Sequence, residues 1–472
     1  MVFSFCLMVA PVSAEPESDT VQLSLQDALT RAVEQNPLVR IEKIDTDVAS
    51  AIYKENIYKF EPQLQLSIGA AKSGDPAQTT RDASLQITET LPTGTQLQLK
   101  GSAGPLSGSR IAAPVDATHH KTFSLTVTQA LLQGLSPSVN LVPVRRARID
   151  VSIREEELSA YALKLIYDTE KAYWDLVLSQ GELSIFQHSL DLAKRLLFES
   201  EERLKVGRIA ALDLAAIRAE VASRNKQLID AEAASRQKTF QLVYLMNGKN
   251  LWNKRISLSD TLSSLGNADS LNQHLEAARK FRSDLRLAKL LAQKGDLDLM
   301  ETRNGLLPRL DFFISLQGTS YAESFSSALS RFDEPSNSLS GGITFQMPVT
   351  NGIAREKHRR AVFSSEQQKL SLENFDRLLE YDIRSAHLEV SRALSQIEAA
   401  KVALELQQQK LEAEQEKMNV GKSTGYALLQ VQRDLIAASL DEQRAKAAYR
   451  NSLLLLFSRD GTLLQRRGIK PF

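Results

Sequence analysis

Cysteine is nearly absent from this chain: Cys6 is the only one in 472 residues. It falls within Val2 to Ala14, an uncharged and mostly apolar stretch that ends in Val12-Ser13-Ala14 and is followed at once by Glu15-Pro16-Glu17. Residues 1–14 therefore read as a secretory signal peptide that lacks the usual basic start. Phe3-Ser4-Phe5 does not make a lipoprotein box before the cysteine, so no lipid anchor is expected. The mature chain then has no disulfide and no thiolate to serve as nucleophile or metal ligand. Charge imbalance is lacking too, with 58 Lys and Arg against 57 Asp and Glu, which removes any electrostatic reason to expect nucleic acid as a partner. No stretch approaches the roughly 18 consecutive apolar residues of a membrane-spanning helix, so insertion into a membrane would fall to strands. Neither a Ser-His-Asp spacing, a phosphate loop nor a zinc motif is found. The sequence nominates no catalytic, cofactor-binding or metal-binding residue, and does not read as an enzyme. His119-His120 are read as ordinary loop histidines, because adjacent residues rarely converge on one ion.

What the chain does have is a leucine seam. Leu176, Leu183, Leu190, Leu197 and Leu204 recur at every seventh position up to Val206-Gly207-Arg208. Ile397, Leu404, Leu411 and Met418 do the same up to Val420-Gly421-Lys422. After each glycine the period resumes, at Leu214, Val221 and Leu228 in one case and at Leu428 and Leu435 in the other. A seven-residue apolar period sustained this long implies helices packed side by side along their length. The helix from about Ala354 to Val420 would be on the order of 100 Å long, which no single core requires. Two such hairpins suggest a tube or a scaffold.

Between the helical stretches the apolar period changes from seven to two. Leu64, Leu66 and Ile68 alternate with polar residues, as do Leu85 with Ile87, Leu97 with Leu99, and Phe123, Leu125 and Val127. Leu310, Phe312, Ile314 and Leu316 repeat the pattern later, followed by Ile343, Phe345 and Met347. These are strands with one apolar and one polar face. Lys72 to Asp82, Gly104 to Lys121 and Ala322 to Asn337 read as loops, and Pro92-Thr93-Gly94 as a tight turn. The order helix, strands, long hairpin thus occurs twice, at a period of roughly 240 residues, far beyond solenoid repeats. The first repeat takes residues 15–250, with strands within 63–131 and a turn near 207. A connector covers 251–270. The second repeat takes 271–460, with strands within 309–347 and a turn near 421, and 461–472 is a tail. Two-faced strands joined by short turns at one end and longer loops at the other fit an outer-membrane barrel. With about four to six strands per chain against the roughly eight that closure needs, the chain must oligomerise.

The opening Leu23-Ser24-Leu25-Gln26-Asp27-Ala28-Leu29 through Glu34-Gln35-Asn36-Pro37, the junctions Thr128-Gln129-Ala130-Leu131-Leu132-Gln133-Gly134 and Phe345-Gln346-Met347-Pro348-Val349-Thr350-Asn351-Gly352, and the turns at Val206-Gly207 and Val420-Gly421 together resemble the TolC-type outer-membrane efflux protein family. The resemblance covers nearly the whole mature chain. It implies a mixed α and β fold, in which long coiled-coil hairpins form an α-barrel tunnel and transmembrane strands contribute to a β-barrel shared by a homotrimer. It further implies a place in the outer membrane of a Gram-negative bacterium, with a large periplasmic part. The function implied is that of the exit duct of a tripartite efflux pump or a type I secretion system, partnered by a periplasmic adaptor and an inner-membrane transporter.

On this reading Val206, Gly207, Arg208, Val420, Gly421 and Lys422 form the periplasmic tip and meet the adaptor. Leu64, Leu66, Ile68, Leu125, Leu310, Phe312 and Ile314 face outer-membrane lipid. The family's acidic residue six positions after the turn glycine is matched by Asp213 in the first half. In the second half Ala427 takes that position, and Gln430 stands at the next acidic one, so the gate candidates are Asp213 and Gln430. Asp213 equally suits a helix N-terminus, where a carboxylate is favoured in any case. Arg145-Arg146-Ala147-Arg148 and the basic run from Arg355 to Arg360 follow the strands and read first as solvated helix starts. The competing functions are a periplasmic adaptor, which would carry one hairpin rather than two, and a soluble coiled-coil scaffold, whose strands would need no apolar face.

Overall fold

The computed structural model describes residues 20–73, 78–106, 118–207, 209–262, 266–326 and 336–469. The expected signal peptide, Cys6 and Arg208 lie outside them. The described residues fall into two compact units, the first within 20–42, 158–283 and 376–469, the second within 43–157 and 284–375. Each draws on both halves of the chain.

Helix formation follows local signals closely. Strand β1 (Thr20–Leu23) leads into α1 (Leu25–Gln35), capped by Ser24, whose hydroxyl accepts from the Asp27 amide while Asp27 reaches back to the Ser24 amide. Its buried stripe is Ala28, Leu29 and Ala32. Asn36 is extended ahead of Pro37, as a residue before proline must be, and α2 (Pro37–Tyr58) begins there. The second half repeats this piece by piece. Ser270 caps α6 (Leu271–Phe281) with its amide on Gln273, Arg282 is extended, and α7 (Ser283–Asn304) follows. No proline enforces that second break; Arg282 is held instead by Asp382 at 2.7 Å.

The long hairpins form as the seam predicts. Helix α4 (Val142–Lys205), after the short α3 (Pro137–Asn140), runs 64 residues and is returned by the 35 residues of α5 (Ala211–Leu245). Helix α8 (Gly352–Asn419) runs 68 and is returned by the 35 of α9 (Gly425–Arg459). Leu176, Leu190 and Ile397 of the seam are buried, and Leu183, Leu197, Leu204, Leu404, Leu411 and Met418 half-buried.

Three sequence expectations need correction in the first unit and the sheet. The stretch 251–270 is more than a connector. It contains β6 (Arg255–Leu258), paired in parallel with β1, and sends Leu251, Ile256 and Leu262 into a core with Tyr173, Trp174, Leu176 and Leu242. One Asp260 oxygen accepts from the Leu25 amide at 3.0 Å and from the Tyr173 hydroxyl at 2.6 Å. Nor are residues 461–469 merely a tail, since α10 (Leu463–Arg466) buries Leu463 and Leu464 against Leu29, Ala162, Ile166 and Leu454. Arg467 then pairs with Glu170. Finally, the strands take most of what was read as loop, so that His119 and His120 belong to a strand.

In the second unit one antiparallel sheet has the order β2 (Gln63–Ser73), β3 (Gln78–Thr90), β4 (Thr95–Pro105), β5 (His119–Ala130), β7 (Arg309–Ala322), β8 (Ser336–Gln346). The turn between β3 and β4 requires glycine. Gly94 has φ +77° and a Cβ there would lie 2.2 Å from the Gly134 carbonyl oxygen.

Candidate functional site

Two features of this chain stay exposed instead of joining its own core: the apolar face of the sheet, and the ends of the hairpins. The sheet register carries each alternating strand into one continuous pattern. Leu64 pairs with Ile87, Ile87 with Leu99, Leu99 with Leu125, Leu125 with Leu316 and Leu316 with Leu339. One residue along, Gln65, Gln86, Lys100, Ser124, Gln317 and Ser338 form the adjoining row, polar in all six strands. Because successive side chains point to opposite faces, one face is apolar and the other hydrophilic across the whole width. Leu64, Leu66, Ile68, Leu125, Leu310, Phe312 and Ile314 all lie on the apolar face. Ile68 is 76% exposed and Leu64 68%, so the chain itself leaves this face uncovered. On the polar face Thr126 and Ser315 share a hydrogen bond of 2.9 Å. Phe313 is the exception there, and its ring lies where a Cβ on Gly342 would come within 3.0 Å.

The hairpin ends are made by two near-identical turns. Gly207 has φ +71° and donates its amide to the Leu204 carbonyl at 2.9 Å; Gly421 has φ +74° and donates to Met418 at 3.1 Å. A Cβ on either glycine would meet nothing within 4 Å, so the backbone conformation, not space, demands glycine. Val206 and Val420 are 68% and 66% exposed. The Lys422 amide closes the second turn on the Lys417 carbonyl at 2.8 Å. Behind the turns, Leu196, Ile217, Leu428 and Leu429 are buried together against Leu197, Leu411 and Met418, which joins the two hairpin ends into one tip. That cluster was only partly legible, since Ile217 and Leu429 lie off the seven-residue seam.

Asp213 and Gln430 are both exposed. Asp213 stands in the first turn of α5, whose N-cap, Ala210, offers no side-chain cap. A carboxylate there offsets the exposed amides of the helix start, which is the simpler of its two readings. The Glu414 carboxyl, unlike these two, is tied into the turn: the Ser423 hydroxyl donates to it and Lys417 lies 3.1 Å away, and these, in that order, hold its pKa below the usual carboxylate range. Sequence reasoning did not single it out. A second unforeseen group is Arg224, buried in the first hairpin between Glu220 at 2.7 Å and the Ser189 hydroxyl. Among the described residues, no three or more His, Cys, Asp or Glu side chains gather as a metal cluster. No helix among them is long and apolar enough to cross a membrane.

Residues 274–462 match the family model described as outer membrane efflux protein. The chain is 25% identical over 313 residues to the outer membrane protein TolC of Escherichia coli K12, a match spanning 63% of this chain and 62% of that protein. Its match to TolC of Salmonella enteritidis is 25% over 296 residues, 60% of this chain and 58% of that one. The alignment thus covers less than two thirds of either relative. The fold is similar to that of the Campylobacter jejuni CmeC outer membrane channel, with a TM-score of 0.70 at 14% identity over 93% of this chain and 86% of that one. It is also similar to CusC, with a TM-score of 0.72 at 16% identity over 93% and 92%. For the Vibrio cholerae outer membrane protein VceC the TM-score is 0.69 at 13% identity, over 93% and 96%.

Proposed function

We propose that this chain is a TolC-type outer-membrane efflux protein and one third of a passive exit duct that carries substrate from a periplasmic tunnel to the outside. The observation that carries the proposal is the six-stranded sheet with one wholly apolar row and two free edges, β2 and β8. An apolar face this wide is stable in lipid, but an open edge in lipid leaves backbone groups unsatisfied, so the sheet must close with other copies. Three copies, joined edge to edge, make a barrel whose polar face lines water. The helices support the same assembly. Besides its buried seam, α8 exposes Tyr381, Leu388 and Val402 at multiples of seven residues, 69%, 66% and 55% exposed, as expected of a surface that a neighbouring copy covers.

The repeated layout supports a tunnel wall built from two similar hairpins per copy. On this reading the turns at Val206-Gly207-Arg208 and Val420-Gly421-Lys422 are the periplasmic mouth. There a periplasmic adaptor docks and links the duct to an inner-membrane transporter, as part of a tripartite efflux pump or a type I secretion system. The alternative of an adaptor or coiled-coil scaffold leaves the two-faced sheet without a use. Mass measurement of the detergent-extracted protein tests the proposal: three chains are expected, and a stable monomer in buffer without detergent overturns it.

A further inference from the structure

We propose that the closed barrel has eighteen strands, six from each copy, with a bore wide enough for two helical segments of polypeptide side by side. The count rests on the three-copy assembly proposed above, and on a hairpin that the first half of the chain has and the second half lacks. In the second half two strands among the described residues, β7 and β8, stand between α7 and α8. In the first half four strands stand between α2 and α4. Strand β2 follows α2 as β7 follows α7, and β5 leads towards α4 as β8 leads to α8, so β3 and β4 have no counterpart. The flanking helices match closely in length, 11 and 22 residues in each half before the strands, which sets this hairpin apart as an addition.

The added hairpin is part of the wall. Strand β3 is paired with β2 from Gln63↔Thr88 to Ser73↔Gln78, and β4 with β5 from Thr95↔Gln129 to Pro105↔His119. Ile87 and Leu99 continue the apolar row, and Gln86 and Lys100 the polar one. Every neighbouring pair in the sheet is antiparallel. With six strands per copy, β8 of one copy then meets β2 of the next in antiparallel sense, which leaves the closed wall uniform.

Barrel diameter grows almost linearly with strand number. With strands about 4.8 Å apart and tilted about 40°, eighteen strands give about 36 Å between opposite backbones, against about 24 Å for twelve. Side chains reduce the wider bore to about 25 Å, room for two α-helices of about 10–12 Å side by side. Of the described residues on the face lining it, the charged ones are Asp82, Lys100 and the paired Arg309 and Asp311, so the two signs balance and the strands select weakly by charge.

Single cysteines placed in a Cys6→Ser background test the proposal by labelling in intact outer membranes. Gln86→Cys and Gln98→Cys should react from water with maleimides on polymers up to about 20 Å across, the size the bore admits. Ile87→Cys and Leu99→Cys should react only with lipid-soluble reagents. Ser338→Cys and Leu339→Cys in β8 serve as the reference pair. Loss of alternation in β3 and β4 while β8 still alternates overturns the widened wall, as does exclusion of the polymers about 20 Å across. A detergent mass other than three chains overturns the assembly instead, so the two failures are separate.

Discussion

At the scale of single residues, the sheet makes a depth-dependent claim. Leu316 is 50% exposed and lies in the row that is apolar in all six strands, whereas Phe312 lies two rows nearer the helical end of β7. With the apolar face in lipid, Leu316→Arg should cost about 2–4 kcal/mol of folding free energy, and Phe312→Arg less, because the penalty fades towards the interface. Gln317→Arg, one position along on the polar face, should be tolerated. Folding yields into lipid vesicles check this; equal losses at Leu316 and Gln317 would mean that the faces are misassigned. Glu414 makes a pH-dependent claim. Its folded pKa is depressed by the Ser423 hydroxyl and then by Lys417, so its contribution is present above the ordinary carboxylate range and lost only as pH falls through the depressed value. The tip should hold its geometry at mildly acidic pH, and Ser423→Ala should move the Glu414 titration, followed by NMR, upward.

At the scale of elements, the turns and the last helix carry the informative tests. Gly421→Val forces a β-branched residue to φ +74° in open space, so the local cost should be about 1–2 kcal/mol, and the helices behind it stay packed through Ile217, Leu428 and Leu429. Trimer formation and membrane insertion should survive while export in cells fails; a fully active variant would show that the turn is not a docking point. The effect expected of α10 is of the opposite kind. Leu463 is fully buried, and Leu463→Ala should lower stability by about 2–5 kcal/mol, seen as a drop in melting temperature with docking unaffected. Nothing in the sequence of residues 461–469 announces this. The helix is four residues long, too short for periodicity to register, and its burial comes from α1, α4 and α9.

At the scale of the whole molecule, the single chain leaves unsatisfied what an assembly would satisfy: two sheet edges, an uncovered apolar face and an exposed stripe on α8. Closing β8 of one copy on β2 of the next, with the helical ends of the two strands level, should place Gln65 and Thr344, both on the polar face, close enough for trapping. The double variant Gln65→Cys with Thr344→Cys should give covalent species of two and three chains on oxidation, and neither single variant should do so. Linked products that continue beyond three chains would argue for an open array of sheets instead of a closed barrel.

The sequence alone determined the helices, the hairpin turns and the two faces of the strands. Each of these is local or periodic: a seven-residue apolar period, a glycine where the chain reverses, a two-residue alternation. A proline marks the break at Asn36, but nothing in the sequence marks the one at Arg282, inside what reads as a single helix. Only the tertiary structure decided that six strands share one sheet, because residues such as Gln78 to Asp82 and Gly101 to Pro105 carry little apolar alternation of their own and become strands by pairing with neighbours. It alone decided that β6 joins β1 across more than two hundred residues of chain, that Asp260 serves Leu25 and Tyr173 at once, and that Arg224 is buried between helices. Those outcomes depend on which distant backbone and side-chain groups meet, and no window of sequence contains both partners.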